Sequence, residues 1–202
     1  MVLLIKFMNL SKMKKIPTRE EAFQLLTLYN QNESLIKHAL AVEAVMRHFA
    51  ALFNKDVEKW GIIGLIHDLD YEKYPDQHCK MTEKILKDEG WPDDYIESVL
   101  SHGWGICTNI EPVKKMEKVL YTIDELTGLI TACVLVRPSR SIMDLELNSV
   151  KKKWKIQSFA AGVNREIIEK GAKMLGMPLD EVIHETINAM KAVAENLDLD
   201  GE

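Results

Sequence analysis

The 202-residue sequence is poor in cysteine, and its three cysteines fit none of the common cysteine patterns. Cys79, Cys107 and Cys133 are an odd number and form no CxxC pair. This argues against a disulfide framework and against a zinc knuckle, because both need several cysteines at fixed spacings. Sparse cysteine is typical of proteins in a reducing compartment, and we predict a cytoplasmic protein.

A long hydrophobic run is also missing. The N-terminal residues MVLLIKFMNLSKMKK start with a short apolar stretch, but Lys6 interrupts it and no small-residue cleavage site follows. The stretch is too short for a transmembrane helix and has no basic region ahead of it. We therefore predict neither a membrane anchor nor a signal peptide, and we expect residues 1–15 to form a loosely ordered N-terminal segment.

Excess positive charge is absent from the chain as a whole but present in one segment. The formal net charge is −5. Residues 137–165 contain seven basic and two acidic residues, so this segment carries +5 and the rest of the chain −10. Because general nucleic-acid-binding proteins usually carry a basic excess overall, we do not expect a nucleic-acid partner. The local basic strip indicates either a small anionic ligand or a solvated lysine-rich loop.

Alternation of apolar and polar residues with a period of two is nearly absent, which argues against β-strands. Apolar residues recur at spacings of three and four, so we predict an all-α fold, a compact bundle of several helices. The longest helix is predicted to start near Pro112 and to end before Pro138. Other helices are predicted at about 18–29, 32–52, 56–68, 77–88, 92–100, 164–175 and 179–197. We assign a helical core to residues 16–136, and a basic linker with C-terminal helices packing on the core to 137–202.

Four ionisable side chains are predicted to point into the bundle from three different helices. His38 shares a helix face with Val42, Asp124 lies near the apolar side of the longest helix, and His67 and Asp68 follow an apolar stretch. Burying an unpaired carboxylate is costly, and a metal ion is one of the usual remedies. Two imidazoles and two carboxylates suit a divalent ion such as Mn, Fe, Ni, Zn or Mg. The alternative is a buried His/Asp hydrogen-bond network without a metal.

This arrangement resembles the HD-domain superfamily of metal-dependent phosphohydrolases, whose pattern is a histidine, a His-Asp doublet and a distant aspartate. In this sequence the pattern falls on His38, His67-Asp68 and Asp124, and the resemblance covers roughly residues 35–136. The resemblance implies an HD-type helical core in which these four residues bind a metal ion.

The sequence looks most similar to the branch of the superfamily with an HDIG-type turn, which often carries two further histidines. His78 and His102 match those positions. The resemblance then implies a second ion bound by these histidines, with Asp68 bridging the two ions. Two residues depart from the pattern, because Asp70 replaces the glycine of the turn and Thr82 stands where a glycine commonly follows. Without a second ion, the two histidines would be half-exposed polar residues at helix ends.

Three acidic residues close to the doublet are candidates for the catalytic step. Asp68 belongs to the doublet, and Glu72 follows four residues later, within reach of an activated water or a leaving group unless it is simply solvated. Asp70 would either act in the same way or hydrogen-bond to a metal ligand and fix its orientation. The basic segment supplies candidate phosphate-binding side chains. These are Arg137, Arg140, Lys151 and Arg165.

Together with the resemblance, these features predict a metal-dependent phosphohydrolase in which a metal-activated water attacks a phosphomonoester or phosphodiester. The substrate is predicted to be a nucleotide or another small phosphorylated metabolite, and the cofactor one or two divalent ions. Two alternatives stay open. One is an HD-type di-iron oxygenase that uses the same ligands. The other is a non-catalytic sensing or scaffold domain that a metal ion stabilises.

Overall fold

The computed structural model of the chain describes residues 14–201. The expectation of a loosely ordered N-terminal segment falls mainly on residues 1–13, which lie outside the described residues. From residue 14 to residue 201 the chain forms nine α-helices and no β-strand, and the all-α prediction is confirmed. The helices are α1 (Arg19–Tyr29), α2 (Glu33–Leu52), α3 (Val57–Ile66), α4 (Lys80–Asp88), α5 (Asp93–Leu100), α6 (Lys115–Leu135), α7 (Leu147–Trp154), α8 (Arg165–Leu175) and α9 (Leu179–Lys191).

The first three helices start where the sequence offers side-chain caps. Thr18 and Glu21 form a capping box at the start of α1, in which each side chain bonds the backbone N–H of the other residue. Asn32 caps α2 through the N–H of Ser34, and Asp56 caps α3. Because each cap satisfies N–H groups that have no partner within the helix, the helix boundaries follow closely from the sequence.

The centre of the bundle consists of α2, α3 and α6. Helix α2 packs against both α3 and α6, and Phe49, Ile63 and Ile123 are fully buried between them. Gly64 lets α2 and α3 approach closely, because a Cβ at this position would lie 2.8 Å from Cγ of Met46. The hydrophobic core itself therefore holds together α2 with His38, the end of α3 that His67 and Asp68 follow, and α6 with Asp124.

The C-terminal helices lie against this centre. Helix α8 packs on α6, and α9 packs on both α2 and α6. At the α6–α8 contact a Cβ on Gly171 would overlap the side chain of Thr122, so the two helices touch nearly backbone to backbone there. No helix within residues 14–201 is both long enough and apolar enough to cross a membrane.

Helix α3 ends at Ile66, two residues earlier than predicted, and three further helix boundaries differ from the prediction for identifiable reasons. Helix α4 starts at Lys80 rather than near residue 77, because Cys79 has a positive φ of 67° and the chain turns there. Helix α6 starts at Lys115, where the Glu117 side chain accepts hydrogen bonds from backbone N–H groups ahead of the helix. The last predicted helix ends at Lys191, and a separate 3-10 turn follows over Ala194–Leu197.

Candidate metal centre

The structure brings four of the predicted ligands together at the meeting point of α2, α3 and α6. One ligand atom from each of His38, His67, Asp68 and Asp124 lies within 4.8 Å of all the others. The Nε2 atom of His38 lies 3.0 Å from Oδ1 of Asp124 and 3.2 Å from Nε2 of His67. Ligand atoms at right angles on one ion, with bonds of about 2.1 Å, are about 3 Å apart. The spacing therefore fits a single divalent ion.

In both imidazoles of this first cluster, the Nδ1 atom contacts a neighbouring group that orients the ring. Nδ1 of His67 lies 2.8 Å from the carbonyl oxygen of Gly64, which can only accept, so Nδ1 carries a proton and the neutral ring would present the Nε2 lone pair to the cluster. Nδ1 of His38 faces the hydroxyl of Thr127 at 3.4 Å, and that hydroxyl donates to the Asp124 carbonyl oxygen. Metal-binding histidines are usually held in this way.

A second cluster shares Asp68 with the first. Nε2 of His78 and Nε2 of His102 lie 3.1 Å apart, and they lie 3.6 Å and 3.4 Å from Oδ1 of Asp68. The other oxygen of Asp68, Oδ2, faces the first cluster at 3.4 Å from Nε2 of His67. One carboxylate thus presents one oxygen to each cluster, which is the geometry of a ligand that bridges two ions.

Hydrogen bonds at Nδ1 also fix the rings of both histidines in the second cluster. Nδ1 of His78 donates to Oδ1 of Asp70 at 2.8 Å, and Nδ1 of His102 donates to the Val99 carbonyl oxygen at 2.6 Å. Asp70 is fully buried, and its Oδ2 accepts the backbone N–H of Thr82. The aspartate that departs from the HDIG-type turn therefore holds the ring of His78 in place.

The clusters are strongly charged for the interior of a helical bundle. Burial lowers the pKa of His67, but the charges of Asp68 and Asp124 outweigh burial and raise this pKa to about 9. Burial raises the pKa of both carboxyl groups, yet the His67 charge and the hydrogen bonds from His102 and His38 hold both values below their usual range. Both carboxylates are therefore ionised, and a divalent ion would supply the positive charge that the protonated His67 ring otherwise provides.

The chemical types of the ligand atoms also suit a divalent metal ion. Four imidazole nitrogens and two carboxylates match the nitrogen and oxygen ligands of Mn, Fe, Ni, Co or Zn ions, whereas calcium prefers oxygen ligands alone. The residues present therefore fit one ion in the cluster of His38, His67, Asp68 and Asp124, and a second in the cluster of Asp68, His78 and His102.

Two cavities meet at the clusters. The first has a volume of about 370 Å³, and Tyr71, Ile106 and Tyr121 contribute to its wall beside the cluster residues. The second has a volume of about 660 Å³ and lies towards the C-terminal part, where Arg140 lines it. His38 and Gly128 line both cavities, so the two spaces adjoin at the first cluster.

Several other predicted residues lie away from the clusters. The Glu72 carboxylate accepts the backbone N–H groups of Gln31 at 2.7 Å and Asn32 at 2.8 Å. Arg137 pairs with Asp144, and Lys151 pairs with Asp180. Arg165 is largely buried and donates to backbone carbonyl oxygens, the shortest bond being 2.6 Å to Phe159. Of the four candidate phosphate-binding residues, only Arg140 lines a cavity that adjoins the clusters.

The structure also shows features of the centre that the sequence did not predict. Glu125 lines the smaller cavity, accepts the N–H of Asn164 at 3.0 Å, and has a pKa that burial raises. Cys79 and Cys107 form a disulfide beside the second cluster, with Cα atoms 6.3 Å apart. Cysteine number and spacing argued against a disulfide framework and did not predict this pair, and Cys133 is free and buried. A separation of 28 residues gave no signal in the sequence for this pair.

Comparison with known protein families matches residues 35–129 to the HD domain. The matched range contains all six residues of the two clusters, from His38 to Asp124. The resemblance to the HD-domain superfamily is thus confirmed, and the narrower HDIG-type assignment stays a prediction. Comparison with curated proteins and with solved structures gave no match.

Proposed function

We propose that this chain, in which residues 35–129 form an HD domain, is a phosphohydrolase that uses one or two divalent ions. The proposed substrate is a phosphomonoester or phosphodiester, either a nucleotide or another small phosphorylated metabolite. The observation that carries the proposal is the position of Asp68, whose two carboxylate oxygens face two clusters of metal-binding side chains. This is the arrangement found in two-metal hydrolytic centres.

In the proposed centre, His38, His67 and Asp124 would hold the first ion, His78 and His102 would hold the second, and Asp68 would serve both. Bound divalent ions would polarise a phosphoryl oxygen and lower the pKa of a water molecule towards neutrality. The chain contributes fixed ligand positions, because the ring nitrogens behind the clusters are held by Gly64, Thr127, Asp70 and Val99. Ligands fixed in this way need no rearrangement when substrate binds.

The two other acidic candidates take positioning roles in this proposal. Asp70 holds the ring of His78 and does not face either cavity. Glu72 ties the loop after the His-Asp doublet to the start of α2 through the N–H groups of Gln31 and Asn32. Since α2 carries His38, this contact helps to set the distance between His38 and the doublet.

We propose that the phosphoryl group binds in the smaller cavity and that the remainder of the substrate extends into the larger one. The larger cavity combines apolar side chains such as Leu135 and Leu199 with polar Asn32 and Thr131. Arg140 has no ion-pair partner within residues 14–201, so its guanidinium is available to an anionic or polar substrate group. This part of the proposal names Arg140 as the substrate-binding residue among the four basic candidates.

The test combines metal analysis with a substrate screen. Protein purified without chelator is analysed for bound metals, and a panel of phosphomonoesters and phosphodiesters is then screened with added Mn²⁺. We expect His67→Ala to lose both bound metal and turnover. The matched control is His184→Ala, because His184 is an exposed histidine on α9 whose hydrogen-bond partner within residues 14–201 is Asn188. Turnover that is unchanged in His67→Ala would contradict the proposed centre.

A second candidate function uses the same six side chains. The pair of clusters bridged by Asp68 also suits two iron ions, and an HD-type di-iron oxygenase would present this ligand set. Oxygen uptake together with a mixed-valence iron signal, and no phosphate release on the panel, would favour the oxygenase. If His38→Ala lowered only the melting temperature and no substrate of either class turned over, the metal would serve a sensing or scaffold domain instead.

A further inference from the structure

Cys79 and Cys107 lie side by side on the flank of the metal centre. Cys79 directly follows His78, is almost fully buried, and has its Sγ 3.9 Å from Nε2 of His102. Cys107 is exposed and lines the smaller cavity. The two cysteines form a disulfide, and neither sulfur atom has a part in the proposed hydrolysis.

The backbone around the two cysteines is shaped to bring their sulfur atoms together. Cys79 has a φ of 67°, in the left-handed region that is costly for a residue with a side chain. Gly103 lies beside the pair, and a Cβ at this position would overlap both sulfur atoms. The Gly103 carbonyl oxygen accepts the N–H groups of Cys107 at 2.9 Å and Thr108 at 3.1 Å, which closes a tight loop. The local backbone therefore keeps the two cysteines next to each other.

Reduction converts this pair into two soft metal ligands. A dithiol reductant transfers two electrons and two protons to the S–S bond, which breaks into two thiols while the reductant becomes a disulfide. The thiols lose their protons when they bind a cation, because the thiolate is the form that binds metals. In the disulfide neither sulfur is a thiolate, so the oxidised pair offers no such ligands.

The reduced pair has a third ligand next to it. One ligand atom from each of His78, Cys79 and Cys107 lies within 4.8 Å of the other two. Tetrahedral zinc has Zn–S bonds of about 2.3 Å and Zn–N bonds of about 2.0 Å, so its ligand atoms lie about 3.5 Å apart. Cys107 belongs to an exposed loop, so the sulfur atoms have room to separate to that distance. Two cysteines and one histidine are a known zinc ligand set.

We propose that the reduced protein binds a thiophilic divalent ion such as Zn²⁺ through Cys79, Cys107 and His78, and that disulfide formation abolishes this site. The ligands differ in kind from those of the two clusters, which offer only nitrogen and oxygen. His78 belongs both to this thiolate site and to the second cluster. The thiolate site does not depend on the proposed function. Only a competition for His78 between the thiolate site and the second cluster would depend on it.

Cobalt(II) is the probe for the test, because thiolate ligands give Co²⁺ a charge-transfer absorption in the near ultraviolet. The full chain is reduced, freed of reductant under argon, and titrated with CoCl₂. We expect this absorption to develop and saturate in the reduced wild type and to disappear when Zn²⁺ displaces Co²⁺. We expect complete loss of the absorption in wild type whose disulfide has been re-formed with hydrogen peroxide, and in the double variant Cys79→Ser/Cys107→Ser. Circular dichroism verifies that the variant is folded.

The matched control is Cys133→Ser, because Cys133 is the third cysteine and is buried in the core away from the centre. This variant should keep the full absorption. No thiolate absorption in the reduced wild type, or an absorption that survives in the double variant, would overturn the inference. Manganese-dependent phosphate release is measured on the same samples. Phosphate release without the thiolate absorption would contradict the thiolate site and support the proposed function. The thiolate absorption without phosphate release would support the thiolate site and contradict the proposed function.

Discussion

The candidate metal centre and the basic segment 137–165 are both rich in ionisable side chains, but the structure uses these side chains in opposite ways. In the candidate centre, six ionisable residues from distant parts of the chain form two adjoining clusters, and Asp68 faces both clusters. In the basic segment, Arg137 and Lys151 pair with acidic residues, and Arg165 binds carbonyl oxygens of its own loop. Charge on the inner face of a helix thus indicates a site far better than a local excess of basic residues.

The largest effect in this comparison is expected from Asp68→Asn. An amide keeps the shape of the carboxylate but removes the negative charge between the two clusters, so both ions lose a ligand. Mutation of a residue that hydrogen-bonds to a metal ligand typically lowers activity roughly 10- to 100-fold. We expect a larger loss of activity in Asp68→Asn. Metal content by mass spectrometry should fall as well. Asp76→Asn, at an exposed position in the next turn, is the control. Full metal content and activity in Asp68→Asn would show that the carboxylate bridges nothing.

A smaller effect is expected from Asp70→Asn, which tests the positioning of His78. The buried Asp70 carboxylate accepts one hydrogen bond from His78 and one from the Thr82 N–H. An amide can accept only on one side, so the imidazole of His78 loses its fixed orientation. We expect affinity for the second ion to fall roughly 10- to 100-fold, while the first ion stays bound. Titration calorimetry with Mn²⁺ measures the binding steps of both ions. Glu83→Gln on the surface of α4 is the control. Equal weakening of both steps would argue against a role specific to His78.

In the basic segment, Arg165→Met is expected to change stability and not chemistry. The Arg165 guanidinium donates to the carbonyl oxygens of Trp154, Ile156 and Phe159, and its loss leaves these groups without a charged donor. We expect the free energy of unfolding in urea to fall by about 2–3 kcal/mol, with metal content unchanged. If stability stayed constant while the KM for substrate rose, Arg165 would have to be returned to the substrate-binding residues.

The smallest effect is expected from Arg140→Ala, which should change substrate binding alone. Loss of one charge-assisted hydrogen bond corresponds to an increase in KM of about tenfold, with kcat nearly constant. Arg137→Ala is the matched control, because Arg137 lies three residues earlier and pairs with Asp144. Loss of such an exposed pair should change stability by less than about 1 kcal/mol and leave KM unchanged. Equal KM values in the two variants would remove Arg140 from the substrate site.

The sequence predicted the convergence of the ligands because helical periodicity determines which side chains face the core. His38 and Asp124 lie 86 residues apart, yet each lies on the inner side of its helix, and the structure places them 3.0 Å apart. The caps at Thr18, Asn32 and Asp56 likewise made helix starts readable from local side chains.

Other features depended on tertiary geometry, which local patterns do not contain. The turn at Cys79 replaces the first residues of a predicted helix, since a left-handed backbone there has no sequence signal when the residue is not glycine. The partners of Glu72 and Arg165 are backbone groups, and composition does not reveal which backbone groups lie nearby. The proximity of Cys79 to Cys107 depends on the loop at Gly103.

The central claim is that Asp68 joins two ion positions, and a crystal structure with anomalous scattering recorded at the metal edges tests it most directly. We expect two peaks about 3.5–4 Å apart, one on each side of the Asp68 carboxylate, with metal–ligand distances of about 2.0–2.3 Å. One peak should contact His38, His67 and Asp124, and the other His78 and His102. Crystals of metal-loaded protein with no peak between these side chains would contradict the account.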